Sequence, residues 1–535
     1  MTTRPNFLFI TTDQQTFGHV GYAGNTNLKT PNIDALAKEG SWFENFYVAS
    51  PVCMPNRATM MTGRMPALHG VRHNGIPLEW DSVTFVDLLR AAGYRTALVG
   101  KSHLQNFLGE EPGYEREQFP QAFTPPPQEL SEAHKSHHNK NVYANELQDL
   151  WRTAPERRMT LPYYGFDDVT LCTGHGDQVS GHYEAWLRAR FPELANQRGP
   201  HGALSTSATG APQVYQPALP EEAYPTRYIE EQTVSALENW NEERSQAPFF
   251  LHCSFPDPHH PFTPPGRYWH MYDPQGIDLP RSFYASSHDQ TPPLRHIYDQ
   301  YRAGTPQTRG TSPFIAHEPQ AREIIAKTYG QISMIDDAVG TIITCLERLG
   351  LMDNTVIVFT SDHGDWMGAH GLFLKGPLHY QNLIKVPFVW RDPDKKYRRG
   401  RLTGLAGSLD LARTFLARAR LQPANGTQGK NLLPEMQNDA PAQPRSIFIE
   451  QMAQFAYLGF DRIFRTWSLV TPEWRLTVWE GCAWGELYNL KDDPDELINL
   501  WNQADNDNIR AHLTLQMIQK TQDLSETSPF PSDRA

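Results

Sequence analysis

Five short runs of β-branched and aromatic residues, at 7–12, 96–100, 248–255, 355–360 and 387–390, punctuate a chain whose intervening segments carry apolar residues at helical spacing. Strands that are apolar at nearly every position have both faces covered, and such strands belong to parallel or mixed sheets layered with helices. Helical patterns at 32–39, 83–92, 228–241 and 324–349 complete the alternation. It predicts an α/β fold with a large mixed, mostly parallel sheet sandwiched by helices. From about Arg445 the pattern changes to SIFIEQ, FRTWSLV, WRLTVWE and GELYNL, which predicts a smaller C-terminal antiparallel sheet closed by a helix over 508–521. The division therefore falls between 1–440 and 441–535, inside the Pro-, Asn- and Gln-rich stretch 422–444. Polar segments at about 105–163, 191–224 and 280–319 are too long for plain connections and read as lids or oligomer contacts.

A net charge of −12 repels nucleic acid and anionic membrane surfaces, so neither is an expected partner, and an anionic substrate would have to be met by a local cluster of cations. No apolar run approaches the ~20 residues that span a bilayer. The start, MTTRPNFLFITTDQQ, enters a strand pattern without a basic region, a long apolar stretch or a cleavage site, and the expectation is a cytoplasmic protein. The 5 cysteines, Cys53, Cys172, Cys253, Cys345 and Cys482, are odd in number and widely spaced, which suits reduced thiols.

Two strand patterns end in groups that can bind a cation. Asp13 and Gln14 follow the first, and Asp362 and His363 follow the run at 355–360. Ligands gather beyond the carboxyl ends of strands in such sheets. Three oxygen-bearing side chains and an imidazole suit a divalent cation, calcium or manganese, and lack the thiolates of structural zinc. Either aspartate alone would serve equally as a cap for the following turn; their paired occurrence favours a site. Cys53 precedes a helical pattern with Pro55 in its first turn and Arg57 one turn along. A thiol there feels the positive helix end, although a plain buried cysteine fits the same pattern.

Cys53-x-Pro55-x-Arg57 followed by Thr62-Gly63-Arg64 resembles the signature of formylglycine-dependent sulfatases in the alkaline phosphatase superfamily, close to arylsulfatases and phosphonate monoester hydrolases. The resemblance continues through Gly100-Lys101-Ser102-His103-Leu104, Asp257-Pro258-His259-His260-Pro261-Phe262, Ser361-Asp362-His363-Gly364, Lys375-Gly376 and Gly485-Glu486-Leu487-Tyr488-Asn489-Leu490. It implies an alkaline phosphatase-like fold and the conversion of Cys53 to formylglycine by a formylglycine-generating enzyme. It further implies one divalent metal ion, calcium or manganese, on Asp13, Gln14, Cys53, Asp362 and His363. The hydrated formylglycine would attack the sulfur of a small-molecule sulfate ester and pass through a covalent sulfo-enzyme intermediate. Lys101, Lys375 and Asn74 would bind the sulfate, His259 would protonate the leaving oxygen with Lys375 assisting, His103 would deprotonate the second hydroxyl, and Arg57 would orient the diol.

Gln14 and His363 depart from the Asp and Asn of many sulfatases, which leaves the choice between calcium and manganese open. Phosphonate monoester and phosphodiester hydrolases share that metal shell but carry Tyr and Thr where this chain has Lys101 and His103, so the resemblance favours sulfate esters. An inactive protein that binds sulfated ligands is the remaining alternative. His69, His260, His370 and His379 are expected to be structural, with His69 orienting the loop that carries the diol. Phe262, Tyr268 and Trp269, just after His259, are candidates to stack an aryl leaving group, with packing beneath the Pro264-Pro265 turn as the other possibility. The long polar segments predict a homodimer or higher homo-oligomer.

Overall fold

In a computed structural model of the chain, residues 4–110, 120, 122–127, 130–133, 141–243, 247–285, 291–305, 312–437 and 445–533 are described. The nine strands of the central sheet are β1 (Asn6–Thr12), β2 (Ser41–Tyr47), β3 (Arg95–Lys101), β4 (Asp168–Thr173), β5 (Ser180–Gly181), β6 (Phe249–Ser254), β7 (Thr355–Ser361), β8 (Phe388–Arg391) and β9 (Gly400–Gly407). They lie side by side in the order β9-β2-β8-β7-β1-β6-β3-β4-β5. Two strands run against the rest: β8 pairs antiparallel with β7 and β2, and β5 with β4.

The principal helices are α1 (Pro31–Glu39), α2 (Cys53–Thr62), α3 (Phe85–Ala91), α4 (Pro225–Glu242), α5 (Glu318–Arg348), α6 (Leu411–Arg418) and α7 (Asp507–Asp523). Alternate residues of β1 enter opposite layers. Phe7 and Phe9 pack with Met54 of α2, Phe85 of α3 and Phe415 of α6, whereas Leu8 and Ile10 pack with Ile33 of α1, Ile229 of α4 and Ile335 of α5. This two-sided burial is why the strand is apolar throughout. Asp336 of α5 ties the second layer together by accepting from the backbone N–H groups of Asn32 and Ile33 at the start of α1, at 3.1 and 2.8 Å.

The expected strands and helices are all present, and β2, β4, β5 and β9 add to them. These escape the sequence pattern because the outer strands β4 and β9 expose residues in their first halves, which dilutes their apolar content, and β9 contains three glycines. A separate four-stranded antiparallel sheet follows: β10 (Ile447–Met452), β11 (Arg465–Val470), β12 (Trp474–Trp479) and β13 (Gly485–Asn489). Ile449, Val470 and Tyr488 from this sheet join the cluster that contains Phe7 and Phe9, whereas Phe448, Leu469 and Leu487 pack with Leu513 and Met517 of α7. The expected division at 440/441 lies outside the described residues, as do parts of the segments at 105–163 and 280–319. No helix among the described residues is long and apolar enough to cross a membrane.

Candidate active site

Parallel pairing of β1 with β7 sets Thr12 opposite Ser361, so the residues that follow, Asp13 and Asp362, emerge side by side at the carboxyl ends of neighbouring strands. The backbone turns sharply there. Gln14 has φ 66°, and its N–H donates to Asp362 Oδ1 at 3.1 Å. Cys53 is the first residue of α2 and is 1% exposed. Its Sγ lies 3.0 Å from His363 Nε2 and 3.9 Å from Asp13 Oδ1. Ligating atoms of Asp13, Cys53, Asp362 and His363 all lie within 4.8 Å of one another, and all four residues are buried.

That donor set fits a divalent cation. His363 Nδ1 is 2.8 Å from the Gly364 carbonyl, a contact that holds the proton on Nδ1 and leaves Nε2 as the ligating nitrogen. Gln14 Oε1 accepts from Lys375 Nζ at 3.1 Å, while its amide donates to Asp365 Oδ2 at 2.6 Å. The Lys375 ammonium also touches Cys53 Sγ at 3.0 Å and His259 Nε2 at 2.9 Å. The five expected ligands and Lys375 thus converge on one buried point.

Arg57 lies beneath this point. Its guanidinium donates to Asp362 Oδ2 at 2.7 Å, Asp13 Oδ2 at 3.3 Å, the Lys101 carbonyl at 3.1 Å and Ser254 Oγ at 3.0 Å. It therefore ties together the ends of β1, β3, β6 and β7. Lys101, wholly buried, donates to Asp13 Oδ2 and lies 2.7 Å from His175 Nε2. The preceding Gly100 has φ 109°, and a Cβ there would come 1.9 Å from the Ser254 carbonyl, so only glycine allows β3 and β6 this approach.

His103 has φ 57°, and its ring lies flat on Phe107 with centroids 3.8 Å apart. Glu146 holds the loop: its carboxylate accepts from the backbone N–H groups of His103, Leu104 and Gln105 at 2.8, 3.0 and 3.0 Å, and from the Tyr163 hydroxyl. His259 Nδ1 is 2.6 Å from the His260 carbonyl, so its Nε2 is the nitrogen facing Lys375.

Electrostatics follow from burial set against these charges. Burial and Asp13 both push the Cys53 thiol up, but Lys375, His363 and Lys101 outweigh them and hold it below the ordinary thiol value. Burial also opposes charge on Asp13, yet Lys101 and Arg57 hold its carboxyl well below the usual range. His103 and His259 are pushed well below the ordinary imidazole value, by burial first and then by Lys101 and His175 respectively. Burial raises the Asp257 and Asp365 carboxyls to about 7.

Asn74 meets the same helix end: its Oδ1 accepts from the Met54 backbone N–H at 3.1 Å and so occupies one of the free donors beside Cys53. The other singled-out histidines have protein partners. His69 lies 3.1 Å from Thr59 Oγ1, His260 Nδ1 lies 3.1 Å from Gln14 Nε2, His370 stacks on Tyr380, and His379 is held between Ser468 and Gln451 of the C-terminal sheet. Phe262, Tyr268 and Trp269 do not line the site. They are 0, 3 and 6% exposed, Phe262 and Trp269 packing with Ile325 of α5 and Tyr268 with Ile335. The aromatic ring beside the site is instead Phe107.

Sequence reasoning missed Phe107, His175, Glu146 and Asp365. His175 follows β4, itself unforeseen, while Asp365 stands one residue beyond the recognised Ser361-Asp362-His363-Gly364 motif.

The sulfatase family model matches residues 5–421, and a model described as N-sulphoglucosamine sulphohydrolase, C-terminal, matches residues 368–523. Among curated relatives, the chain is 27% identical to the choline-sulfatase of Rhizobium meliloti, covering 94% of this chain and 83% of that protein. It is 25% identical to the arylsulfatase of Clostridium perfringens, covering 94 and 91%. Among solved structures, the phosphonate monoester hydrolase of Agrobacterium radiobacter superposes with a TM-score of 0.73 at 24% identity, over 98% of this chain and 97% of that one.

Proposed function

From the premise that the chain belongs to the formylglycine-dependent sulfatase family of the alkaline phosphatase superfamily, we propose that it hydrolyses small organic sulfate monoesters, aryl sulfates among them, at residue 53. Action on sulfate esters is common ground with its relatives; the modified residue and the class of ester are the proposal. The observation that carries it is the placement of Cys53 Sγ, buried at a helix start and 3.0 Å from both His363 Nε2 and Lys375 Nζ.

Asp13, Gln14, residue 53, Asp362 and His363 would hold one calcium or manganese ion. Formylglycine at residue 53, hydrated beside that ion, would supply an oxygen nucleophile and a second hydroxyl from which sulfate can be expelled. Lys101, at Asp13, and Lys375, at Cys53, would neutralise the nonbridging sulfate oxygens, with Asn74 at the helix end helping to bind them. They are the local cations that a chain of net charge −12 requires. Arg57 fixes the two carboxylates and, through the start of α2, the orientation of residue 53. His259, with Nδ1 committed to a carbonyl, acts through Nε2: it would hand a proton to the leaving oxygen, with Lys375 as its neighbouring donor. His103 Nδ1 is buried without a hydrogen-bond partner and is free to take the proton of the second hydroxyl. Phe107 offers the ring face for an apolar leaving group.

Maturation would require a formylglycine-generating enzyme. Homo-oligomer contacts are proposed on the segments at 105–163, 191–224 and 280–319, because the exposed Leu108, Leu161, Leu204 and Tyr284 fall within them. A second reading, phosphonate monoester or phosphodiester hydrolysis, is favoured by Gln14 and His363 among the ligands, and Lys101 and His103 weigh against it. The test is kcat/KM for 4-nitrophenyl sulfate against an aryl phosphonate monoester, a phosphodiester and sulfated sugars, with metal and formylglycine content measured. The aryl sulfate should lead; phosphorus esters ahead by orders of magnitude would establish the second reading.

A further inference from the structure

Lys101 and His259, which the proposed reaction uses at the sulfate and at the leaving oxygen, meet at one residue. His175 Nε2 lies 2.7 Å from Lys101 Nζ, and the His175 ring stacks on His259 with centroids 3.6 Å apart and planes at 12°. On its other face His259 stacks on His260 at 3.9 Å, so it is the middle of three imidazoles.

The backbone places His175 by special means. It follows β4 between two glycines in the left-handed region, Gly174 at φ 87° and Gly176 at φ 54°. A Cβ on Gly174 would come 1.9 Å from Gln148 Nε2, and one on Gly176 would come 2.9 Å from both Pro261 Cγ and Thr263 Oγ1. Neither position tolerates a side chain without displacing the turn.

We propose that His175 is a positioning residue of the sulfate ester site: its Nε2 holds the Lys101 ammonium, and its ring face holds the His259 imidazole. The inference rests on the sulfatase reading above. An ammonium has three protons to donate. Asp13 Oδ2 and His175 Nε2 take two in fixed directions, which aims the third at a substrate oxyanion. Without His175 only Asp13 would fix Lys101, and the ammonium could turn towards that carboxylate. The stack restrains the plane of His259, and its Nδ1 contact with the His260 carbonyl restrains rotation within that plane. Together they fix the line along which Nε2 delivers a proton. Asp13, His175 and His259 also offer ligand atoms within 4.8 Å of one another, but Lys101 already bridges Asp13 and His175, which favours positioning over ligation of a second cation.

Two substitutions separate the two contacts. His175→Phe keeps a ring for His259 and removes the acceptor for Lys101; His175→Gln keeps an acceptor at similar reach and removes the ring. The readouts are sulfate binding by calorimetry, kcat/KM over aryl sulfates of graded phenol pKa, thermal stability and metal content. His175→Phe should weaken sulfate binding about tenfold and lower kcat/KM by a similar factor for every leaving group. His175→Gln should bind sulfate within about twofold of wild type, with a kcat/KM loss at least about tenfold greater for the poorest leaving group than for 4-nitrophenol. The proposal is overturned if both variants behave like wild type, if both show the same uniform loss matched by a lowered melting temperature, or if wild type carries two metal ions and His175→Phe carries one. Should wild type cleave aryl phosphonates and not aryl sulfates, the sulfatase reading fails by itself. The same two variants on graded aryl phosphonates, with sulfate binding unchanged as a readout, then decide the role of His175.

Discussion

Arg57→Ala tests the electrostatic frame of the site. The guanidinium is buried and shared by two wholly buried carboxylates, Asp13 and Asp362, so its removal leaves Asp362 without its closest cation and Asp13 with Lys101 alone. Deleting one partner of a buried ion pair costs about 3–5 kcal/mol. Unfolding entropy of about 2.1 cal/mol/K per residue, over 535 residues, amounts to about 1.1 kcal/mol/K. The expected fall in melting temperature is therefore about 3–5 °C. The pH dependence has a definite sign. The Asp13 carboxyl is held below its unfolded value, so its contribution is present above about pH 4 and is lost as pH falls through the folded value. The gap between wild type and variant should stay constant from pH 5 to 8 and narrow below pH 4. Scanning calorimetry at matched, saturating calcium across that range checks both. A fall below 1 °C at pH 7, or a gap that widens on acidification, would refute the reasoning.

Cys53→Ala should abolish turnover while shifting the melting temperature by no more than a degree or two, and the tryptic peptide of the wild-type protein should be lighter than its cysteine form by ~18 Da; wild-type rates in the variant would rule out chemistry at residue 53. Asp13→Asn and Asp362→Asn should lose metal and activity together, because each replaces an anionic ligand by a neutral one; elemental analysis that finds full metal occupancy would refute this. Asp257 titrates near 7 in the folded chain, so wild-type stability should decline as pH rises from about 4 to 7, where the unfolded chain has already released the proton. Asp257→Asn should flatten that decline, as melting temperatures over the same range would reveal, whereas parallel curves would contradict it.

The parts of this molecule legible in its sequence were those where one chemical requirement acts alone. A strand buried on both faces has to be apolar, so β1, β3, β6 and β7 stood out, and the groups following β1 and β7 became neighbours as soon as those strands paired. The outer strands β4 and β9 answer to solvent as well as to the core, and their mixed composition hid them. His175 was lost with β4. Glu146 was invisible for a different reason: a carboxylate that accepts three consecutive backbone N–H groups has no motif of its own, and the distance from Leu104 to Glu146 in sequence says nothing about their contact. Phe262, Tyr268 and Trp269 illustrate the reverse error, since proximity in sequence to His259 did not bring them into the site; the turn after His259 directs them into the packing around α5.

The position of β1 at the middle of the sheet also sets a clock. Its neighbours β6 and β7 are made about 240 and 340 residues later, so the first strand to leave the ribosome is among the last to be enclosed. At about 5–20 residues per second, synthesis of the intervening chain up to β7 takes roughly 17–70 s. Throughout that interval the segment around Cys53, which is 1% exposed once folded, has neither His363 nor Lys375 to pack against. A modifying enzyme that needs access to this thiol would have its opportunity during synthesis, before the sheet closes around it.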